Sequence, residues 1–145
     1  MPHIQVYIHF VWSTKNRVPS LNSPKLRKKV WQHIFENAKS KGIFVDFVNG
    51  YSDHCHCLIS LGTEQSLKNI MQLIKGESSY WINKNQLTSR KFEWQDDYYA
   101  SSVSPSKLNV VREYIKNQEE HHHKKSFQEE YEELIQQFDF KKISE

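Results

Sequence analysis

Two histidines and a tyrosine carry most of the chemistry available to this sequence. Asp53-His54-Cys55-His56-Cys57-Leu58-Ile59-Ser60-Leu61 alternates as a β-strand does. His54, His56, Leu58 and Ser60 therefore share one face, and Cys55, Cys57, Ile59 and Leu61 the other. Two imidazoles two residues apart on a strand stand about 7 Å apart at Cα, a spacing at which both can reach one metal ion. On spacing alone, ordinary histidines at a sheet edge are the commoner explanation. A structural zinc site using His54, Cys55, His56 and Cys57 is disfavoured, because thiols and imidazoles point to opposite faces. Further on, Tyr114 and Gln118 lie four apart, on one helix face a turn removed from each other. Tyr114 offers either a phenol nucleophile or an aromatic ring for packing.

Positioning these groups requires a sheet with helices laid on it. Residues 3–12 alternate, with Ile4, Val6, Ile8, Phe10 and Trp12 on one face and His3, Gln5, Tyr7 and His9 on the other, the pattern of a half-buried strand. Thr14-Lys15-Asn16-Arg17 is a polar loop. Ser23-Pro24 reads as an N-cap and first helical residue. Leu26, Val30, Ile34 and Ala38 then recur at helical spacing, Lys25, Arg27, Lys28 and Lys29 lie opposite, and Gly42 supplies the stop. Residues 43–48 form a second strand, and Asn49-Gly50 a hairpin turn into the histidine strand. After a break at 62–66, Leu67, Ile70, Met71 and Ile74 predict a second helix. It runs into Lys75-Gly76-Glu77-Ser78-Ser79, where small residues leave room for another chain. Residues 83–90 read as a loop, and residues 92–94 and 98–103 as short strands. Ser104-Pro105 opens the tyrosine helix, expected near 105–119, with Leu108, Val111 and Ile115 as its apolar stripe. Ser126-Phe127-Gln128-Glu129 is a capping box for an amphipathic helix near 126–138. There Phe127, Tyr131, Leu134, Ile135 and Phe138 pack, while Glu129, Glu130, Glu132 and Glu133 face water. The order β-α-β-β-α-β, with an extra strand, predicts an α+β, ferredoxin-like antiparallel sheet with packed helices, as a single domain over 1–145.

The composition fits one globular domain: 145 residues, 26% charged and 13% aromatic. No apolar run approaches the roughly 18 residues of a membrane span, and His3 and Gln5 interrupt any signal-peptide core. Cys55 and Cys57 are expected as small buried thiols in a reducing cytoplasm. The net charge of +3 conceals an asymmetry. Residues 119–145 hold four Lys/Arg against eight Asp/Glu, which leaves 16 against 9 before them. A basic body suggests a polyanionic partner. Lys15 and Arg17 in the first loop, Arg27 and Lys28 on the first helix and Lys75 on the second are the candidate phosphate contacts. Trp12, Trp31, Trp81 and Trp94 are core candidates that could also stack on unpaired bases.

Four stretches together give the chain a resemblance to the single-tyrosine HUH transposases of small bacterial insertion sequences and their REP-associated relatives. Trp12-Ser13-Thr14-Lys15-Asn16-Arg17 resembles the family's opening strand and loop. His54-Cys55-His56 resembles its His–hydrophobic–His motif, Trp94-Gln95 with Tyr98 its fourth-strand region, and Tyr114-Ile115-Lys116-Asn117-Gln118 its tyrosine helix. Asp96-Asp97 departs from the basic or glycine residues expected before Tyr98, which bears on local DNA contacts. The resemblance implies a cytoplasmic enzyme, acting at the nucleoid, that cleaves and rejoins single-stranded DNA at hairpin-marked ends. It further implies a homodimer in which one subunit's tyrosine meets the other's histidines.

In such an enzyme Tyr114 attacks a phosphodiester, giving a 5′-phosphotyrosine and a free 3′-OH that can later reverse the linkage. A phenol with a pKa near 10 needs activation, and the phosphate needs a Lewis acid. His54 and His56 would hold that metal, Mg²⁺ or Mn²⁺, with Gln118 as a third ligand through its amide oxygen. Asp53 is next to the pair but faces the opposite way on an ideal strand, which leaves it at most a hydrogen-bonding support. The broken bond's energy is retained, so no nucleotide is needed, and no P-loop pattern occurs. The alternatives are a domesticated relative that processes chromosomal repeat hairpins and a catalytically silent hairpin binder. His121-His122-His123 reads as a polar helix end, since three consecutive side chains diverge.

Overall fold

The computed structural model describes residues 2–122 and 126–138. Four strands form one antiparallel sheet: β1 (Tyr7–Ser13), β2 (Phe44–Gly50), β3 (His54–Ser60) and β4 (Tyr99–Val103), in the order β2-β3-β1-β4. Helix α1 (Pro24–Ser40) joins β1 to β2, and α2 (Leu67–Lys84) joins β3 to β4. This is the ferredoxin-like arrangement that the sequence predicts. After β4 come α3 (Leu108–Lys116), α4 (Gln118–His122) and α5 (Phe127–Phe138).

The two faces of the sheet have different covers. Phe10, Trp12, Cys55, Cys57 and Ile59 point to one side and pack with Val30, Trp31 and Ile34 of α1 and Ile70, Met71 and Ile74 of α2. Ser23 Oγ accepts from the amide of Leu26 and Ser66 Oγ from that of Asn69, so both helices start at side-chain caps. On the opposite side Leu58 packs with Leu108 and Ile115 of α3, and Val11 and Tyr99 with Phe127 of α5. Burying each such Leu or Ile contributes about 1.5–3 kcal/mol. That is enough to hold the C-terminal helices on a face that alternation alone marks as exposed.

Several local expectations are corrected. β1 is buried on both faces, His9 included, because α3 and α5 cover its polar side. Asn49 and Gly50 remain within β2, pairing with His56 and Cys55, and the chain turns at 51–53 instead. α2 continues unbroken through Gly76 to Lys84, its helical pattern outweighing one glycine. Residues 92–94 form no strand; Trp94 makes an isolated bridge to Thr14. The tyrosine helix is preceded by a 3₁₀ turn at Pro105–Lys107 and interrupted at Asn117, so Gln118 starts a new helix. Both cysteines are fully buried free thiols, and burial pushes their pKa values up, which leaves them unreactive. No helix among the described residues is long and apolar enough to cross a membrane.

Candidate active site

β3 sets His54 and His56 on the face beneath the C-terminal helices, with ring centroids 5.1 Å apart and both side chains fully buried. Each ring is held from behind at Nδ1. For His54 the partner is Asp53 Oδ1 at 2.8 Å; for His56 it is Nε2 of His9, at 2.9 Å from the neighbouring strand. Both Nε2 atoms therefore face the same interior space. Burial, reinforced by the charge of the neighbouring ring, lowers His9 to a pKa of about 3. Burial likewise lowers His56 to about 4, although Glu130 opposes the shift. At neutral pH this pair is uncharged. Strand alternation points Asp53 away from the pair, yet its carboxylate turns back onto His54; His9 was missed.

The tyrosine helix closes over this face. Arg112 donates two hydrogen bonds to Asp46 of β2, Nε to Oδ1 at 2.8 Å and Nη2 to Oδ2 at 2.7 Å. Asn49 Nδ2 donates to the carbonyls of Ile115 and Lys116 at 2.9 and 3.1 Å, satisfying acceptors left open where α3 ends. Tyr114 stands edge-on to His56 and His9, with centroids 5.5 and 6.3 Å apart. Gln118 is fully buried, and its Oε1 lies 2.9 Å from His54 Nε2. The four sequence-predicted groups His54, His56, Tyr114 and Gln118 thus meet within one chain.

Two groups join them that sequence reasoning assigned elsewhere. His122 of α4 places Nε2 3.1 Å from Gln118 Oε1 and 3.0 Å from Glu130 Oε2. Glu130 of α5 is 1% exposed, and its Oε1 lies 2.8 Å from His56 Nε2. The expectation that Glu130 faces water is corrected: α5 packs by Phe127, which stacks on His54 at 4.2 Å, and residue 130 is one turn along the same face. His122 is no loose helix end either, since Tyr51 stacks on it at 5.4 Å and Arg27 lies over Tyr51. His123 lies outside the described residues. Burial alone would raise the Glu130 carboxyl, but hydrogen bonds from His122 and His56 and the adjacent imidazole charges hold it well below the usual carboxylate range. Burial, then the charge of Glu130 and a hydrogen bond with it, pushes the Tyr114 phenol well above its ordinary value; hydrogen bonding with Gln118 opposes this.

The donor set suits a divalent cation. A neutral His54 that gives its Nδ1 proton to Asp53 presents a lone pair at Nε2. That lone pair faces the lone pairs of Gln118 Oε1, an arrangement a cation relieves. His54, His122 and Glu130 each offer a ligand atom within 4.8 Å of the others. Asp53 behind His54 is the carboxylate partner that a metal-bound histidine usually has, while His9 fills the corresponding place behind His56 with an imidazole.

The candidate phosphate contacts are placed unequally. Arg27 is buried, bonded to the Leu21 carbonyl and to Glu119, and Lys75 Nζ lies on the carbonyls of Gln95, Asp96 and Asp97. Lys28 is exposed. Lys15 pairs with Glu93 at 3.3 Å while still largely exposed, and Arg17 lies 5.6 Å from the Phe127 ring centroid. Asn16 and Arg17 both have left-handed backbone, φ 57° and 55°, the kind of strain that gathers at functional loops. A cleft lined by Trp12, Asn16, Arg17, Tyr98, Phe127 and Tyr131 opens there.

No curated protein matches the chain significantly. Among solved structures, a protein of Deinococcus radiodurans R1 described as a transposase superimposes with a TM-score of 0.63 at 18% identity, covering 81% of this chain and 93% of the other. A REP-associated tyrosine transposase bound to a REP hairpin superimposes with a TM-score of 0.62 at 14% identity, covering 84% and 72%. At these identities the likeness shows a shared fold. The family model described as "Transposase IS200 like" matches residues 3–118, from before β1 to Gln118, and so the chain belongs to the IS200-like transposase family.

Proposed function

We propose that this transposase cleaves and rejoins single-stranded DNA through a 5′-phosphotyrosine on Tyr114, in a reaction that depends on a divalent metal. The observation that carries this reading is the convergence of Tyr114 with His54, His56 and Gln118 on one buried space. A metal held by His54, His56 and Gln118, Mg²⁺ or Mn²⁺, would supply Lewis acidity at the scissile phosphate and positive charge near the phenol. Without positive charge the phenol stays protonated beside Glu130. Asp53 and His9 fix the two imidazoles, and Arg112 and Asn49 fix the helix that carries the nucleophile.

The partner that best fits is DNA with unpaired bases. The cleft beside the site offers partly exposed aromatic faces at Tyr98 and Tyr131 for stacking and Arg17 for phosphate. A hairpin is the first substrate to try, because a similarly folded tyrosine transposase is bound to one. On a labelled single-stranded oligonucleotide carrying a hairpin, the wild type with Mg²⁺ or Mn²⁺ should form a denaturation-resistant protein–DNA adduct. Tyr114→Phe should bind the oligonucleotide and form none. An adduct persisting in Tyr114→Phe would assign the nucleophile to another residue.

A further inference from the structure

We propose that His122 and Glu130 are ligands of the same metal as His54, His56 and Gln118, completing a set of three imidazoles, one amide oxygen and one carboxylate. This rests on reading the His54–His56–Gln118 cluster as a metal centre, and it names two ligands beyond residue 118, where the family match ends.

Burial is the first argument. The side chains of His122 and Glu130 are 1% and 2% exposed, although both sit on short helices following the tyrosine. A carboxylate withdrawn this far from water is costly unless countercharge or hydrogen-bond donors meet it. The surrounding groups are imidazoles, two of which Glu130 contacts at 2.8 and 3.0 Å.

Donor spacing is the second. Ligands about 2.1 Å from one metal at right angles lie about 3.0 Å from each other. The separations here are 2.9 Å for His54 Nε2 to Gln118 Oε1, 3.1 Å for Gln118 Oε1 to His122 Nε2, 3.0 Å for His122 Nε2 to Glu130 Oε2, and 2.8 Å for Glu130 Oε1 to His56 Nε2. Consecutive donors stand at coordination-sphere spacing; His54, His122 and Glu130 are mutually within 4.8 Å, and His56 joins them through Glu130 Oε1. The longer 3.8 Å from His54 Nε2 to Glu130 Oε1 spans across it. Each element is also fixed independently of any ion, α4 by Arg27 through Glu119 and α5 by Phe127 on His54. Three imidazoles and a carboxylate favour a transition dication such as Mn²⁺, Co²⁺ or Zn²⁺ over Mg²⁺.

The test is metal binding by the full chain, stripped with chelator and titrated with Mn²⁺ by calorimetry and with Co²⁺ by visible absorption. His122→Ala and Glu130→Leu should each weaken Mn²⁺ binding at least about tenfold and alter the cobalt d–d spectrum. Glu130→Leu should lower apo stability, because it leaves the imidazoles of His56 and His122 without the carboxylate that accepts from them, so urea unfolding in EDTA establishes that the variant is folded before it is titrated. His54→Ala is the reference for the centre itself. If His54→Ala loses metal while His122→Ala and Glu130→Leu bind as the wild type with unchanged cobalt spectra, this inference is overturned and the metal centre stands. If the wild type binds neither ion, both are overturned.

Discussion

Gly50 lies at the end of β2, opposite Cys55, and its replacement tests how tightly the histidine strand is positioned. A methyl group on its Cα would lie 2.2 Å from the backbone oxygen of His54, and 3.0 Å from Cα of Cys55 and from Cζ2 of Trp31. Unstrained contacts between such atoms begin at about 3.5 Å, so β2 and β3 must part there by about 1 Å. Backbone cannot rotate away as a flexible side chain can. Gly50 does not have a left-handed φ, so the cost of Gly50→Ala is one of space and not of conformation. Overpacking of this kind costs about 1–3 kcal/mol, and the backbone contacts put Gly50→Ala in the upper half of that range. The atom first displaced belongs to His54, and an error of about 1 Å at a reacting group can cost about 100-fold in rate. Urea unfolding in EDTA should therefore show Gly50→Ala destabilised by about 2–3 kcal/mol. Calorimetric Mn²⁺ titration and adduct formation on the hairpin oligonucleotide should both fall by at least about tenfold. Wild-type metal affinity and adduct rate in Gly50→Ala would refute the reasoning, since they would mean that His54 keeps its place despite the clash.

The glycine in α2 should behave oppositely: Gly76 is exposed with nothing within 4 Å of an added Cβ, so Gly76→Ala should raise unfolding free energy by about 0.5–1 kcal/mol, and destabilisation would contradict an unbroken α2. His9 and His56 refuse protons in the folded state until pH about 3 and about 4, whereas the unfolded chain accepts them near 6.5. Stability of the apo protein should thus be fullest above pH 6.5 and fall as pH drops towards 4, by up to about 2 kcal/mol per ring at pH 5; urea midpoints in EDTA that stay level from pH 7.5 to 5 would contradict the uncharged pair. The resemblance implies tyrosines exchanged between subunits, but one chain here brings both halves together under Arg112–Asp46 and Asn49. Mixing inactive His54→Ala with inactive Tyr114→Phe should therefore stay silent with subunit exchange verified by label transfer, and restored adduct formation would show a shared site.

What was legible in the sequence follows from what local pattern encodes. Two-residue alternation in β3 placed His54 and His56 on one face, and the four-residue spacing placed Gln118 a turn from Tyr114; both are properties of a single element. His9, His122 and Glu130 depend on how elements dock. In β1 nothing distinguishes His9 from a solvent-facing residue, because the layer that covers it arrives about a hundred residues later as α3 and α5. Glu130 sits among Glu129, Glu132 and Glu133, and helical spacing carries no sign that one of four glutamates turns inward. A sequence signal does exist in retrospect: residue 130 follows the apolar Phe127 by three and precedes Leu134 by four, so it lies within the apolar stripe and not opposite it. A carboxylate on the packing stripe of a helix requires countercharge on the surface it meets. In this chain that surface is the face of β3 that carries two histidines.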